Sequence, residues 1–392
     1  MTTKMEALKI QNIVDLPDTR SISHVYEKIF SQLDKESLLC CSLVCDSWNE
    51  CIAKSLKLME KLDIVVNFSK GAFTEDDAAL FSRTNRLFNK ITIKHFIEPS
   101  QSLEALLHRN KWKSIKLKSQ FIPFPDISDA SLENLTVLEA VTFKLSHVLN
   151  IIKASPNLKE LKLVVTDGSK DDWKCLTERE DQNLKLRKFA LALNRCASSD
   201  AGRVNDFLQS QSSTLNELEV QGIVISTNTL RIISKMPNLE VFTLKKSFYE
   251  IRIEDVKLFE MKTLKTLKIF DDKFIDHRIF FPVLKMAKNI TRIEVNELYQ
   301  SRIEVVGRLK NLQEIVTRTI EFLNINEPSW FSSLRFIKVR QQMQKVQQER
   351  IAKMVQGDLT NFKVCLYEEM SKSPHSKVPH VVFYLNHHSE FD

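Results

Sequence analysis

Glycine is scarce in this sequence, and its scarcity excludes several kinds of active site. Only six glycines occur in 392 residues, and they stand far apart, at Gly71, Gly168, Gly202, Gly222, Gly307 and Gly357. Loops that bind nucleotide phosphates need clustered glycines, because the backbone must approach the ligand closely. The sequence therefore predicts neither a P-loop nor a dinucleotide-binding turn, and it gives no reason to expect a cofactor.

Spacings typical of metal-binding and catalytic motifs are also missing. The seven cysteines include no C-x-x-C pair, which argues against a zinc ribbon, and their odd number argues against a disulfide framework. The nine histidines form no H-x-x-x-H or H-E-x-x-H pattern, and we expect the adjacent His387 and His388 to lie in a solvated tail. No cysteine stands in a recognisable nucleophile motif. We therefore expect no metal site and no enzymatic activity.

Long apolar runs and concentrated charge are absent as well. No run approaches the roughly 20 apolar residues of a membrane-spanning helix, and residues 1–6 lack the apolar core of a signal peptide. We expect the protein to act in the cytoplasm, the nucleus or both. The net charge of +7 is spread over the chain without a run of five basic residues, so nucleic-acid binding is allowed but not indicated.

A short apolar pattern, L-x-x-L-x-L, recurs along most of the chain. It is clearest at Leu158-Leu161-Leu163 and at Leu239-Phe242-Leu244, each directly preceded by Pro-Asn. The first anchors of the successive copies stand at residues 59, 88, 112, 135, 158, 186, 215, 239, 264, 290, 312, 334 and 359, at intervals of 22 to 29. This pattern and interval resemble those of the leucine-rich repeats. The alternative is a set of unrelated amphipathic strands in an ordinary α/β domain.

The repeat predicts an α/β solenoid, with a curved parallel sheet inside and helices outside. The second and third anchors alternate with polar residues, as in a strand with one buried face. Return segments between the copies have helical apolar spacing, with Thr227, Asn228 and Ser301 as predicted caps and a further helix predicted over 341–350. We assign residues 55–392 to the solenoid, with a C-terminal cap or tail from about 366 that includes a closing strand over 381–385.

One position departs from the leucine-rich-repeat pattern. The family often has Asn or Cys three residues after the third anchor, where the side chain bonds the backbone of the turn. Here that position holds Thr166, Asn194, Ile223, Ser247, Asp272 and Leu298. Only some of these side chains can make the bond, so we expect irregular repeats.

Residues 16–54 follow a different pattern, after an N-terminal extension over 1–15. Val25, Ile29 and Leu33 recur at helical spacing, Asp34 could cap a second helix, and an apolar stripe over 38–44 precedes a tryptophan. The pairs Ile29-Phe30 and Leu38-Leu39, the run Ser-Leu-Val-Cys over 42–45 and Trp48-Asn49 stand in the order and spacing of the F-box. The segment therefore resembles an F-box-like helical module.

The F-box resemblance implies a role in ubiquitin ligation. Such a module docks onto an SKP-type adaptor and, through it, a cullin scaffold, while the solenoid binds a protein substrate. The chain would then be a non-catalytic substrate receptor. The residues that the resemblance assigns to adaptor binding are Leu16, Pro17, Ile29, Phe30, Leu33, Leu38, Leu39, Leu43, Val44 and Trp48. The alternative is a leucine-rich-repeat interaction or inhibitor protein whose N-terminal helices serve only as a cap.

A second candidate surface follows from the strand alternation. Residues on either side of the second and third anchors point away from the core and line the concave face. The predicted substrate-binding residues are Lys116, Lys118, Lys162, Lys188, Lys245, Lys268, Phe270, Arg292, Arg318, Phe336, Lys338 and Arg340. The acidic residues in the same positions are fewer: Glu139, Glu160, Glu217, Glu219, Glu294 and Glu314. The sequence thus predicts a mild positive bias suited to an acidic or phosphorylated partner; the alternative is an ordinary solvated face.

Overall fold

The structure is a computed structural model, and it describes most of the N-terminal helices and of the repeats. The described residues are 19–68, 76, 86–95, 101–118, 127–166, 184–193, 201–246, 248–250, 260–270, 283–298, 302, 305–306, 309–320, 336–339, 362–370 and 377–385. Several predictions fall outside them, at Leu16, Pro17, Asn194, Ser247, Asp272, Ser301, Arg340, the helix over 341–350 and the two terminal histidines.

Helices come first along the chain and then alternate with strands. The helices are α1 (Thr19–Phe30), α2 (Lys35–Ser42), α3 (Asp46–Lys54), α4 (Leu56–Met59), α5 (Gln101–Arg109), α6 (Asp129–Leu132), α7 (Ser146–Lys153), α8 (Ala201–Ser210) and α9 (Thr227–Ser234). The strands are β1 (Ile64–Asn67), β2 (Lys90–Lys94), β3 (Ser114–Lys118), β4 (Val137–Thr142), β5 (Glu160–Val165), β6 (Lys188–Leu193), β7 (Glu217–Gln221), β8 (Val224–Ser226), β9 (Val241–Lys245), β10 (Phe248–Glu250), β11 (Thr266–Phe270), β12 (Arg292–Leu298), β13 (Glu314–Ile320), β14 (Phe336–Val339), β15 (Phe362–Met370) and β16 (Lys377–Leu385).

One sheet of 14 strands runs through the repeats in the order of the chain. Its order is β1-β2-β3-β4-β5-β6-β7-β9-β11-β12-β13-β14-β16-β15, and each pair from β1 to β14 is parallel. The strands β8 and β10 form a small parallel pair outside this sheet. A strand that always lies beside the one before it in the chain is typical of a solenoid. The predicted α/β solenoid is therefore confirmed, and the alternative of unrelated strands is wrong.

The anchors form the core because the register places equivalent positions side by side. Leu138, Leu161, Phe189, Leu218 and Phe242 are paired in one row across five strands, and each is almost fully buried. A single repeat cannot bury its apolar face alone, so stacking makes the core continuous. Among the described residues the core consequently extends from β1 to β13, between the sheet and the return segments.

The return segments supply the outer side of the core, as their spacing predicts. In α7 the side chains of Val148, Ile151 and Ile152 are buried. The cap of α9 differs from the prediction by one residue, because Ser226 rather than Thr227 or Asn228 has the extended backbone of a cap. Its hydroxyl accepts from the Thr229 amide at 3.2 Å while the Thr229 hydroxyl accepts from the Ser226 amide at 3.2 Å, which is a capping box.

The C-terminal part departs from the repeat. The last copy of the pattern, Leu359-Phe362-Val364, predicts one more parallel strand, but β15 is antiparallel to β16, and β16 is antiparallel to β14. The expectation of a further parallel repeat there is wrong, because the chain returns as a hairpin and places β16 between β14 and β15. The predicted closing strand over 381–385 lies within β16.

Side chains directly before four of the first anchors tie a repeat to the preceding one. The leucine-rich-repeat pattern favours a different position for such bonds, three residues after the third anchor. In this chain Ile223 and Leu298 occupy that position, and both are buried apolar side chains. The bonds run to backbone carbonyls 24 to 27 residues earlier. They are Asn157 Nδ2 to Glu133 O (2.9 Å), Asn238 Nδ2 to Ser213 O (2.7 Å), Thr263 Oγ1 to Leu239 O (3.0 Å) and Asn289 Nδ2 to Lys262 O (2.8 Å).

Asn238→Ala should lower the free energy of unfolding by about 1 kcal/mol, because it removes one such inter-repeat bond. Asn134 occupies the same position before Leu135, is exposed, and makes no side-chain hydrogen bond within the described residues, so Asn134→Ala is the matched control. Urea unfolding of the two variants checks the difference. Equal losses in both would mean that the bond contributes nothing and that the substitutions act through the exposed turn itself.

Candidate functional site

The N-terminal helices form a small unit that begins with a capped helical turn. We call α1–α4 the helical module. Asp34 caps α2, as predicted, by accepting from the Ser37 amide at 2.8 Å. That hydrogen bond holds the pKa of the Asp34 carboxyl below its usual value. The extended backbone at Asp34 turns the chain between α1 and α2 and so fixes how their apolar faces meet.

Two of the predicted adaptor contacts lie inside the module. Phe30 is 1% exposed, with its ring edge-on to Trp48 at 5.3 Å, and Leu38 is fully buried. Leu33 and Trp48 are half-buried and pack against the same core. The prediction that Phe30 and Leu38 contact the adaptor directly is therefore corrected, because both side chains are buried. Successive residues of a helix point about 100° apart, and in these two pairs one member faces the module core while the other faces outward.

The outward members of those pairs, Ile29 and Leu39, belong to a larger set of exposed apolar side chains. We call Val25, Ile29, Leu39, Leu43 and Val44 the exposed apolar set; Leu43 is 85% exposed and Val44 65%. Only two other large apolar side chains among the described residues, Val65 and Leu87, are as exposed. Four members are predicted adaptor residues. Val25 was missed, although it stands one helical turn before Ile29 and the spacing alone could have indicated it.

The helical module packs directly against the first repeats. Phe88 contacts both the module core and the solenoid core. The Arg86 Nε donates to Asn49 Oδ1 at 3.2 Å, and Lys113 Nζ lies 2.6 Å from Glu60. The bond from Lys113 lowers the pKa of Glu60. The module thus covers the open end of the solenoid, but Leu43 and Val44 remain exposed, so capping alone does not account for the exposed apolar set.

The predicted concave face lies where the alternation places it. On β5, for example, Leu161 and Leu163 are buried while the Lys162 side chain between them is 52% exposed. Lys118 and Arg318 are exposed, and Lys338 is half-exposed. The side chain of Phe336 is not among those described, and Arg340 lies outside the described residues.

Most bases of the concave face form ion pairs across neighbouring strands. The sequence indicated the excess of bases but not their pairing, because six of the seven ion pairs join residues 22 to 29 positions apart, and only Arg292–Glu294 lies within one strand. The pairs are Lys116–Glu139 (3.5 Å), Lys162–Glu139 (3.4 Å), Lys188–Glu217 (3.2 Å), Lys245–Glu219 (2.7 Å), Lys268–Glu294 (3.8 Å), Arg292–Glu294 (3.7 Å) and Arg292–Glu314 (2.9 Å).

Pairing changes the electrostatics of this face. Burial would raise the pKa of Glu139, but Lys162 and Lys116 together outweigh burial and lower it. The hydrogen bond with Glu217 raises the pKa of Lys188. These shifts favour the charged forms of Glu139 and Lys188 at neutral pH. A partner that approaches this part of the face therefore meets a series of ion pairs whose charges largely cancel.

A shallow groove of about 300 Å³ crosses the middle of the concave face. It is lined by residues of β3 to β11, and Ala190 of β6 lies between Lys162 and Glu219 in the register of the strands. The small Ala190 side chain deepens the groove at this point. Lys245 Nζ lies 5.9 Å from the centre of the Phe270 ring, so one of the two predicted apolar positions is next to a cation.

The described part of the chain lacks two kinds of feature. There, no helix has the length and apolar character needed to cross a bilayer. The same residues contain no group of three or more His, Cys, Asp or Glu side chains that could bind a metal ion.

Comparison with known proteins supports the reading of the N-terminal helices. Residues 23–65 match the F-box-like family. The match spans α2–α4, most of α1 and the start of β1. Comparison with curated proteins gives no match. Among solved structures, an internalin from Listeria monocytogenes is similar at 19% identity and a TM-score of 0.37, over 66% of this chain and 68% of the internalin. The solenoid is assigned from its own strand order.

Proposed function

We propose that this chain is the substrate-recognition subunit of an SKP-cullin-F-box ubiquitin ligase. The helical module would bind an SKP-type adaptor, and the concave face of the solenoid would bind a protein substrate. One observation carries the proposal: the segment that matches the F-box-like family also presents the exposed apolar set. We expect the chain to act in the cytoplasm or the nucleus.

The exposure of these side chains is the physical reason to expect a partner on the module. Covering one exposed leucine or valine side chain gains about 1.5–3 kcal/mol relative to leaving it in water. Five such side chains lie on or just after α1 and α2. Exposed apolar surface is typical of protein interfaces where it forms a continuous patch. An adaptor with a complementary apolar groove would cover them.

The contribution to ubiquitin transfer would be positional. Holding a substrate near a ubiquitin-charged enzyme that another subunit recruits raises the effective concentration of the acceptor lysine. The contacts of Phe88, Arg86 and Lys113 tie the module to the solenoid. The adaptor-binding surface and the concave face would therefore keep a fixed relative orientation, which such positioning requires.

A second candidate function is a leucine-rich-repeat interaction or inhibitor protein without a ligase role. The packing of the helical module against β1 and β2 favours it, because a solenoid needs a cover over its terminal repeat. This reading accounts for Phe30, Leu38 and the junction. It predicts no partner for Leu43 or Val44.

Co-expression of the full chain with an SKP-type adaptor tests the two functions. We expect a stable complex that co-elutes in size-exclusion chromatography and has a micromolar or tighter dissociation constant. The control is the same adaptor with its F-box-binding surface blocked by a known F-box peptide, which should release the chain. A chain that stays apart from the adaptor, at concentrations where a known F-box protein binds, would contradict the proposal and favour the second function.

A further inference from the structure

A gap interrupts the row of charged side chains along the middle of the concave face. The strand register places five positions side by side across β3 to β7, and they hold Lys116, Glu139, Lys162, Ala190 and Glu219. Only Ala190 is short and uncharged, and it is half-buried. The strands on its two sides are about 10 Å apart, which is twice the ordinary spacing of paired strands. Lys162 and Glu219 therefore border an opening, and we call the shallow groove that contains it the concave groove.

The floor of the concave groove offers contact area but few hydrogen bonds. Leu161, Phe189 and Leu218 line it, and because their side chains face the core they contribute backbone atoms to the floor. The amides and carbonyls of this backbone already pair within the sheet. Val137 and Val241, both half-buried, line the groove on β4 and β9. A flat apolar group can lie against such a floor, and covering apolar surface is favourable.

The charges around the concave groove cancel. Its lining contains four bases and four acids, which are Lys116, Lys162, Lys188, Lys268, Glu139, Glu160, Glu217 and Glu219. The ion pairs that involve β5, β6 and β7 are Lys162–Glu139, Lys188–Glu217 and Lys245–Glu219. An anionic occupant would approach the carboxylates of Glu217 and Glu219, and a cationic one would approach the ammonium groups of Lys162 and Lys188. Because burying a charge without a free partner is unfavourable, the groove favours an uncharged occupant that leaves the ion pairs intact.

We propose that the concave groove binds one uncharged aromatic side chain, a tryptophan or a tyrosine, of the protein partner of this face. The inference rests on the proposed function only in taking a protein as the occupant of the concave face. A flat ring fits the floor above Ala190. Its N–H or O–H group can donate to a carboxylate such as Glu219, and its face attracts an ammonium group such as that of Lys162. The occupant thus differs from the acidic or phosphorylated group that the excess of bases in the sequence favours.

Four degenerate peptide pools, with a central tryptophan, tyrosine, phosphotyrosine or leucine, test the specificity. Each fluorescent pool is titrated against the full chain by anisotropy. We expect the tryptophan and tyrosine pools to bind at least about tenfold tighter than the leucine pool, because a hydrogen bond to a charged group contributes about that factor. The phosphotyrosine pool should bind more weakly than the tyrosine pool. Leucine or phosphotyrosine pools that bind as tightly as the two aromatic pools, or no binding of any pool, would overturn the proposal.

Two matched variants test the location. Ala190→Leu fills the concave groove from its floor and should weaken binding of the tryptophan pool at least about tenfold. Ala192→Leu adds the same side chain to the same face of β6, two residues farther on and outside the lining of the groove. It should leave the affinity within about twofold of the parent chain. Both alanines are half-buried, so the two variants are comparable in stability, and equal losses of affinity in both would overturn the site.

The unsubstituted chain gives a readout that does not depend on the folding of a variant. Its alanine methyl groups are labelled for NMR, and N-acetyl-tryptophanamide is the probe. We expect the aromatic ring to shift the Ala190 methyl resonance, which Ala190→Ser identifies by its loss, more than the Ala192 resonance. A largest shift at another alanine would overturn the site. A free amide that binds as tightly as the tryptophan pool would mean a small-molecule site and would overturn the assignment to a protein partner.

Adaptor binding separates this inference from the proposed function. Measured on the same preparations, it should be unchanged in Ala190→Leu and Ala192→Leu, because neither residue belongs to the helical module. A chain that selects the aromatic pools but binds no adaptor would leave the groove standing while the ligase function fails. A chain that binds the adaptor without this selectivity would reject only the groove.

Discussion

Gly222→Ala is expected to lower the free energy of unfolding by about 3 kcal/mol, which is among the largest effects that one methyl group could have in this chain. Gly222 follows β7 with φ +68°, where only glycine is unstrained. A Cβ at this position would lie 1.9 Å from the carbonyl oxygen of Leu193, at the end of the neighbouring strand β6. Because that oxygen belongs to the backbone, the clash can be relieved only if two repeats move apart.

The hydrogen bonds of Gly222 make such a movement costly. Its amide donates to the carbonyls of Lys245 and Lys246, at 3.2 and 3.1 Å, after β9 on the other side. Lys246 itself has φ +42°, so two unusual backbone conformations meet at this point. A shift of Gly222 away from Leu193 would push its amide against these two carbonyls, which already lie at hydrogen-bond distance. The substitution should therefore disturb the stacking of three consecutive repeats, not one turn alone.

Gly202→Ala supplies a control of opposite sign. Gly202 lies in the first turn of α8, and a Cβ there would meet no atom within 4 Å. Alanine should stabilise the protein by about 0.4–1 kcal/mol, because it reduces the freedom of the unfolded chain without strain. Urea unfolding followed by circular dichroism measures both variants. If Gly222→Ala proves as well tolerated as Gly202→Ala, the close approach to Leu193 is not a constraint on the fold.

The sheet could be predicted from the sequence because its signal is local and repeated. Anchors such as Leu161 and Leu163 indicate both where a strand lies and which of its faces is buried. The regular interval to the next copy of the pattern indicates which strand lies beside it. Nothing comparable marks β8 and β10, since a three-residue strand has too few positions to show an alternation. The C-terminal hairpin was not predicted for another reason. The apolar pattern is the same for parallel and antiparallel strands, so it does not indicate the direction of β16.

Contacts across repeats were the part of the site that the sequence could not supply. The basic excess of the concave face was visible, but Glu139 stands 23 residues from both of its lysine partners, and only the register brings them together.

The helical module shows a limit of motif reasoning at single residues. The apolar pairs of the F-box resemblance identify the helices correctly, yet they do not say which member faces the solvent. Phe30 and Leu38 turn inward because the small core needs them against Ile52 and Leu58, while Ile29 and Leu39 remain outside. Loss of Phe30 would therefore weaken a partner interaction only by disturbing the module. Loss of Leu43 should act on the partner directly.

Leu43→Asp should weaken adaptor binding by at least about thirtyfold, which corresponds to a loss of 2 kcal/mol or more at an interface hot spot. The substitution removes an apolar contact and places a charge where the complex would exclude water. The same change should alter the stability of the free chain little, because the side chain is 85% exposed. Isothermal titration with an SKP-type adaptor measures the affinity, and thermal unfolding measures the stability.

Leu87→Asp is the matched control for this prediction. Leu87 is 65% exposed and lies outside the helical module, so the same change there adds the same charge away from the exposed apolar set. We expect adaptor affinity within about twofold of the parent chain, since the exposed Leu87 side chain is not part of the exposed apolar set. If both variants lose affinity alike, the effect is one of net charge. If neither does, the adaptor does not dock on the end of α2, and the exposed leucine needs another partner.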